Sequence, residues 1–373
     1  MSIHRGKQQR ARRAVLLAVA LFCATQIGFL AVIERWDPGL VDAEYGTRLE
    51  YFGTRRRQYP RRKSIAVLGS SRIGNGFDSD YATARSYIGK DQESPIVANM
   101  SMTGGTSVWQ YLALRRLIDH GLKPDAVIIE VLPMTLVSDQ QFFADKYHFP
   151  THRLRWRDVR SLAAIMPGQA SRHAWEWVAN NAVFPLHSHR FSLIGLFAPA
   201  WQIDQLGDNS QPGVWRRIMS PTGWIPFGIE NPTPEQRLQA EEVARKAYAA
   251  HGTASSISSH AVATYEAMVA CCREQGIEVR AVVMMPESEM FRGLYGPTLQ
   301  REVRRFAKSI THDHGVPVVD AREWIPADQF WDGHHLLVTG ARAFTDRVCT
   351  ETLGFTTTAD SQRVAVQPTA SPQ

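Results

Sequence analysis

From residue 64 onward, short apolar runs alternate with longer stretches in which apolar residues return every three or four positions. Residues 64–68, 95–99, 126–132, 279–285 and 316–319 form the short runs. Runs of that length and composition, separated by helical periods, predict strands joined by βαβ crossovers into a parallel sheet. The stretch 106–120 puts Tyr111, Leu114, Leu117 and Ile118 on one helical face and stops at Gly121 and Pro124. Two more helical stretches, 257–275 and 299–312, end at Gly276 and near Gly315, each leading into a strand. The pattern predicts an α/β fold with a doubly wound parallel sheet, assembled from residues 64–138 and 253–355.

Residues 139–252 break this rhythm and read as a helical or irregular insertion or cap. They hold Trp156, Trp175, Trp177, Trp201, Trp215 and Trp224, six of the ten tryptophans. Such residues either pack beneath an insertion or stack on sugar rings. The clearest element starts at Thr233-Pro234-Glu235-Gln236, a capping box with proline at the first helical position. Residues 356–373 are polar and without an apolar period, which predicts a disordered tail.

A different pattern fills the first forty residues. Residues 14–33 carry no charge and only Thr25 and Gln26 as clearly polar positions, a length suited to one bilayer crossing by roughly 20 residues. Arg5, Lys7, Arg10, Arg12 and Arg13 precede the run, so residues 1–13 are expected in the cytoplasm and the main body outside, periplasmic or at the cell surface. A cleaved signal peptide is the competing reading. Residues 34–63 read as a connector, in which Arg55, Arg56, Arg57, Arg61, Arg62 and Lys63 either meet anionic head groups or stay solvated. The net charge of +6 stems largely from the five residues beside the span, so nucleic acid is not an expected partner.

The cysteines do not form a framework. Cys271 and Cys272 are adjacent and Cys349 is distant, leaving room for one bridge to Cys349. Neither His187/His189 nor His312/His314 has a third ligand at a telling distance, so no metal is expected. The glycine-rich stretch at Gly74 and Gly76 lacks a phosphate-loop continuation, and no cofactor is implied.

Chemistry gathers at two separated motifs. The first strand ends at Gly69 and delivers Ser70 and Ser71 to the carboxyl edge of the sheet, where open α/β folds place ligands. Much later comes Asp332-Gly333-His334-His335, on a loop before a helix expected to begin near Thr339. A serine hydroxyl becomes a nucleophile when a base removes its proton, and a carboxylate fixes that base's tautomer. Ser71, His335 and Asp332 supply the three roles, with His334 the competitor for the base. Glu287 and Arg292 follow the strand ending at residue 285 and are expected on the same edge, positioning substrate or forming a surface ion pair.

These motifs resemble the blocks of the SGNH, or GDSL-like, hydrolase superfamily. Gly69-Ser70-Ser71 resembles the first block, Asn99-Met100-Ser101-Met102-Thr103-Gly104 the second, and Asp332-Gly333-His334-His335 the last. The resemblance implies a three-layer α/β/α fold, a Ser71 nucleophile, and an oxyanion hole from the backbone amides of Ser71 and Gly104. It also implies an asparagine after the third strand, where this chain has Pro133 and Met134, neither able to donate a hydrogen bond. Gly-Ser-Ser followed by Arg72 looks like the membrane-anchored branches that handle O-acyl groups on envelope polymers. The implied function is an extracytoplasmic serine esterase or O-acyltransferase, whose partners are an acylated envelope glycan or small ester and the bilayer. The alternative is a non-catalytic scaffold that binds a glycan or an envelope-assembly protein.

Overall fold

The computed structural model describes residues 2–35, 38–84, 94–137, 151–198, 212–229, 231–252 and 256–354. The expected disordered tail, Trp201, and the insertion segments 139–150 and 199–211 lie outside the described residues. Two compact units emerge: Met1–Gly46 with Pro150–Trp215, and Thr47–Phe149 with Arg216–Gln373. The sequence treats residues 139–252 as one insertion, whereas the chain passes from the first unit back to the second at Arg216.

The second unit is built on five parallel strands, β1 (Ser64–Leu68), β2 (Ile96–Asn99), β3 (Ala126–Val131), β4 (Glu278–Met284) and β5 (Val318–Asp320), in the order β2-β1-β3-β4-β5. Ile65 of β1 lies opposite Val97 of β2 and Ala126 of β3, and Ile129 lies opposite Val282 of β4. Ile65, Val67, Ile128 and Val283 face a core completed by Phe77, Phe330, Phe344 and Val348. The alternate residues Ala66, Leu68, Val127, Ile129 and Val282 are equally buried on the opposite face. A sheet covered on both faces is the setting in which parallel strands are stable. Helix Ser107–Asp119 packs beside Ser259–Gln275, and Val338–Leu353 packs beside Ser71–Gly76, so the unit is the expected α/β/α sandwich.

Strand β5 starts two residues later than the sequence pattern suggests. Pro317 has no N–H to give a ladder, and only its carbonyl takes part, accepting from Val282 N at 2.9 Å. The capping box forms as written: Thr233 N donates to Gln236 Oε1 at 2.9 Å and Gln236 N to Thr233 Oγ1 at 3.3 Å, opening the helix Pro234–Gly252. Within the basic connector, Arg56 Nη1 donates to Ser64 Oγ at 2.7 Å and Asp125 Oδ2 at 3.1 Å, so this cation is engaged by the protein itself. Cys271, Cys272 and Cys349 are buried and none is in a disulfide, so the bridge the sequence left open does not form.

In the first unit, helix Ser2–Arg35 is followed in space by Trp156–Ile165, Ala170–Trp177, a π-helical turn Val178–Ala182 and helix Arg190–Phe197. Residues 7–35 of the first helix are long and apolar enough to cross a membrane. Arg153 anchors the start of the helical segment by pairing with Asp42 at 2.7 Å and Glu44 at 2.9 Å. Trp177 and Trp215 are buried while Trp156 and Trp175 are exposed, and in the second unit Trp224 joins the core.

Candidate active site

Strand β1 ends at Leu68 and the chain turns at Gly69, where only glycine fits. A Cβ there would stand 2.3 Å from Ile73 Cγ1 and 2.7 Å from Glu130 Oε2. Ser70 caps the short helix Ser71–Gly76: its Oγ accepts from Arg72 N at 3.2 Å and donates to Glu130 Oε1 at 3.1 Å. The Ser70 N–H donates to the other carboxylate oxygen of Glu130. Ser71 is therefore the first residue of a helix, half-buried at the carboxyl edge of the sheet.

The distal motif folds into a tight turn. Gly333 takes a left-handed conformation at φ +88°, and the Trp331 N–H closes the turn onto His335 O at 2.9 Å. Asp332 Oδ1 accepts from the amides of His334 at 3.2 Å and His335 at 2.8 Å, while Oδ2 lies 2.7 Å from His335 Nδ1. Burial pushes the Asp332 carboxyl up, but the flanking His335 and His334 imidazoles and these hydrogen bonds outweigh it and hold the group well below the usual carboxylate range. An ionised carboxylate only accepts, so His335 Nδ1 carries the proton and Nε2 is left as an acceptor. That nitrogen is 2.9 Å from Ser71 Oγ. The structure thus brings Ser71, His335 and Asp332 into one hydrogen-bonded chain.

His334 is not an alternative base. Its ring is buried, stacked on Phe291 at 4.7 Å and met edge-on by Tyr248 at 5.2 Å. Burial holds it neutral, well below its ordinary titration range. His335 is covered instead by Phe227, whose ring lies 6.2 Å away and nearly parallel.

Glu287 departs from its expected place. It is fully buried and pairs with Arg72 at 3.2 Å, and its Oε1 also accepts from Tyr295 OH at 2.5 Å. It is neither a surface ion pair nor exposed to a substrate; the strand end turns its side chain inward. Arg292 also leaves the Ser71 neighbourhood: its Nη1 donates to the carbonyls of Glu287 and of Arg322, the latter at 3.0 Å. It lines a separate polar cavity of about 500 Å³ with Arg304, Arg322 and Trp324.

Two buried charged groups, Arg72 and Glu130, were not among the expected site residues. Arg72 donates to His334 O at 3.3 Å, Met285 O at 3.3 Å and Pro286 O at 2.7 Å besides Glu287, tying the serine helix to the histidine loop and the end of β4. Glu130 sits fully buried on β3 beneath Ser70, and burial raises both its carboxyl and that of Glu287 against the pull of Arg72. A glutamate inside the run Val127-Ile128-Ile129-Glu130-Val131 was a readable signal, since a charge enters a core only with partners. Arg72 was not readable, because arginine is exposed by default.

Gly104 has φ +67° on the loop after β2, and that loop meets the serine turn where Met102 N donates to Gly69 O at 2.9 Å. Met134 is fully buried in a 3-10 turn and offers no donor. Beside the histidine loop an open groove of about 570 Å³ runs along helix Pro234–Gly252, bounded by Trp331, Asp332 and His334. Asp332, His334 and His335 hold donor atoms within 4.8 Å of one another, close enough to share a metal ion. In this arrangement both Asp332 oxygens already accept hydrogen bonds, and the His335 ring is engaged at both nitrogens.

Residues 15–152 match a family described as a protein of unknown function, DUF1574. No curated protein matches. A crystal structure of the lipase/acylhydrolase from Enterococcus faecalis is similar at 12% identity with a TM-score of 0.32, covering 79% of this chain and 97% of that one. At that score the similarity assigns neither fold nor activity to this chain, and the fold described above rests on its own strand order.

Proposed function

We propose that this chain is a membrane-anchored serine esterase or O-acyltransferase that acts, outside the cytoplasm, on ester-linked acyl groups such as acetyl on an envelope glycan. The observation that carries the reading is the continuous chain from Ser71 Oγ through His335 to Asp332, at 2.9 Å and 2.7 Å. Ser71 Oγ attacks the acyl carbon and its proton passes to His335 Nε2. The tetrahedral intermediate collapses with cleavage of the ester C–O bond, and the departing alcohol oxygen takes the proton back from Nε2. Water, or an acceptor hydroxyl, then gives its proton to His335 and attacks the acyl-serine. Ser71 Oγ leaves and recovers that proton.

The Ser71 N–H opens a helix and finds no acceptor among the described residues, which suits it to the oxyanion. The Gly104 amide is the second donor in this reading. Met134 supplies none, and loss of one such donor costs about 10²–10³ in rate, so slow turnover is expected. The alcohol must lie on the histidine side to receive its proton. The groove there offers an aromatic wall at Trp331 and amides at Gln236 and Gln239, with no cation, a lining suited to a neutral sugar. The buried Met134 equally favours the second reading, an acyl-glycan-binding scaffold that has lost turnover.

Fluorophosphonate labelling of the full chain in detergent separates the two. Labelling of wild type and none of Ser71→Ala, with turnover of p-nitrophenyl acetate following the same pattern, is the expected outcome. Equal labelling of both proteins, or no labelling and no turnover by wild type, would remove the catalytic reading.

A further inference from the structure

The apolar helix Ser2–Arg35 is accompanied along its C-terminal half. Phe22 meets Phe184 with ring centroids 6.3 Å apart, Gln26 Oε1 accepts the Leu186 N–H at 3.3 Å, and Phe29 meets His189 at 6.5 Å. Further on, Phe29, Leu30 and Ile33 pack with Leu40, Val41 and Leu193. Contacts advance in step along both segments. A helix rises about 1.5 Å per residue, so Phe22 stands near the middle of the apolar run and Ile33 at its end. Any segment packed on Phe22 and Phe29 shares their depth in a bilayer that residues 14–33 cross.

The outer side of the accompanying segment carries large apolar side chains beside the polar Asn180, His187 and Arg190. Val183 is 48% exposed, Phe184 53%, Phe197 79%, and Trp175 just before it 74%. Scattered exposed hydrophobics are ordinary on a soluble surface, but a set on one segment beside a span marks a surface that meets lipid. Between Val178 and Ala198 the only residue charged at neutral pH, with histidine counted neutral, is Arg190. Its guanidinium donates to His187 O at 2.6 Å and lies 4.3 Å from the Phe191 ring centroid, as a snorkelling cation does. Asn181 and His189 turn inward and are buried. The backbone at the apex bonds locally, through Val183 N to Val178 O at 3.1 Å, Ser188 N to Phe184 O at 2.9 Å and His189 N to Pro185 O at 3.0 Å. Non-aqueous surroundings demand that local satisfaction.

We propose that residues 178–197 dip into the membrane alongside the C-terminal half of the spanning helix, with Val183 and Phe184 deepest and Phe197 nearer the head groups. The partner is the lipid of that leaflet, and the segment gives part of the tryptophan-rich insertion a role as a second membrane foothold. This placement depends on residues 14–33 crossing the bilayer and not on the ester chemistry.

Site-directed spin labels test it on the full chain in phosphatidylcholine/phosphatidylglycerol vesicles. In a Cys23→Ser background the remaining cysteines are buried, so Phe184→Cys and Phe197→Cys take the label alone. Both sites are expected to favour collision with oxygen over a water-soluble nickel chelate several-fold more than exposed Lys308→Cys, with Phe184 deeper than Phe197. Nickel access equal to that of Lys308→Cys, or shielding from both reagents as in a protein contact, overturns the placement. Leu16→Cys reports the span itself: water access there, together with water access at Phe184, would remove the membrane reading altogether. Because Phe197 is largely exposed, its substitution keeps the test valid if Phe184→Cys disturbs the Phe22 contact.

Discussion

Asp332 is the residue on which the site's electrostatics turn. Its carboxyl titrates well below the ordinary range in the folded chain, against a value of about 4 when unfolded. As pH falls the unfolded chain therefore takes up this proton first. The stability the group contributes is complete above roughly pH 4 and is lost progressively as pH falls below it. Glu130 and Glu287, raised by burial, act with the opposite sign: their contribution is present at low pH and lost as pH rises. Comparing wild type with Asp332→Asn isolates the first effect. The melting temperature of wild type should fall more steeply in acid than that of the variant, as read by scanning calorimetry. A variant as acid-sensitive as wild type would contradict the assignment. The same substitution should lower ester turnover at neutral pH by about 10⁴-fold, as loss of the orienting carboxylate does in serine hydrolases. At this scale Ser71, His335 and Asp332 were legible because a strand end and a three-residue spacing are local facts. Glu287 was placed near the right strand end but facing the wrong way, because the chain's turn after β4 decides which side a residue takes.

Between elements, Arg72 does the joining. One guanidinium reaches the histidine loop, the end of β4 and Glu287, so the distance from Ser71 to His335 depends on it. Arg72→Met leaves Glu287 and Glu130 buried without their cation and is expected to cost about 3–5 kcal/mol in urea denaturation. Arg72→Met with Glu287→Gln should recover part of that loss. Equal stability of the single and double variants would show that the pair is not coupled. Arg72→Lys keeps the charge but not the fork, and should slow fluorophosphonate labelling of Ser71 even where the fold survives. Strand and helix positions were largely readable because burial on both faces of a parallel sheet writes continuous apolar runs, and Gly276 and Gly315 end their helices in left-handed conformations at φ +65° and +69°. The six-residue helix Ser71–Gly76 was readable only as a turn, since its cap and its contacts, not its propensity, hold it.

For the whole molecule the governing feature is the N-terminal helix. A phosphatase fusion after Leu40 is expected to be active outside the cytoplasm and to remain in the carbonate-washed membrane fraction; release of a soluble, shortened chain would favour a cleaved signal. By itself the sequence determined the order of strands and helices, the apolar N-terminal run and the residue types able to form the Ser71–His335–Asp332 hydrogen-bonded chain, because periodicity, charge and spacing are properties of neighbouring positions. Only the tertiary structure decided that Ser71 and His335, 264 positions apart, meet at 2.9 Å, that Arg72 and Glu287 are buried partners, and that residues 178–197 lie along the apolar N-terminal helix. Those outcomes depend on which distant surfaces exclude water together, and no local pattern along the chain encodes that.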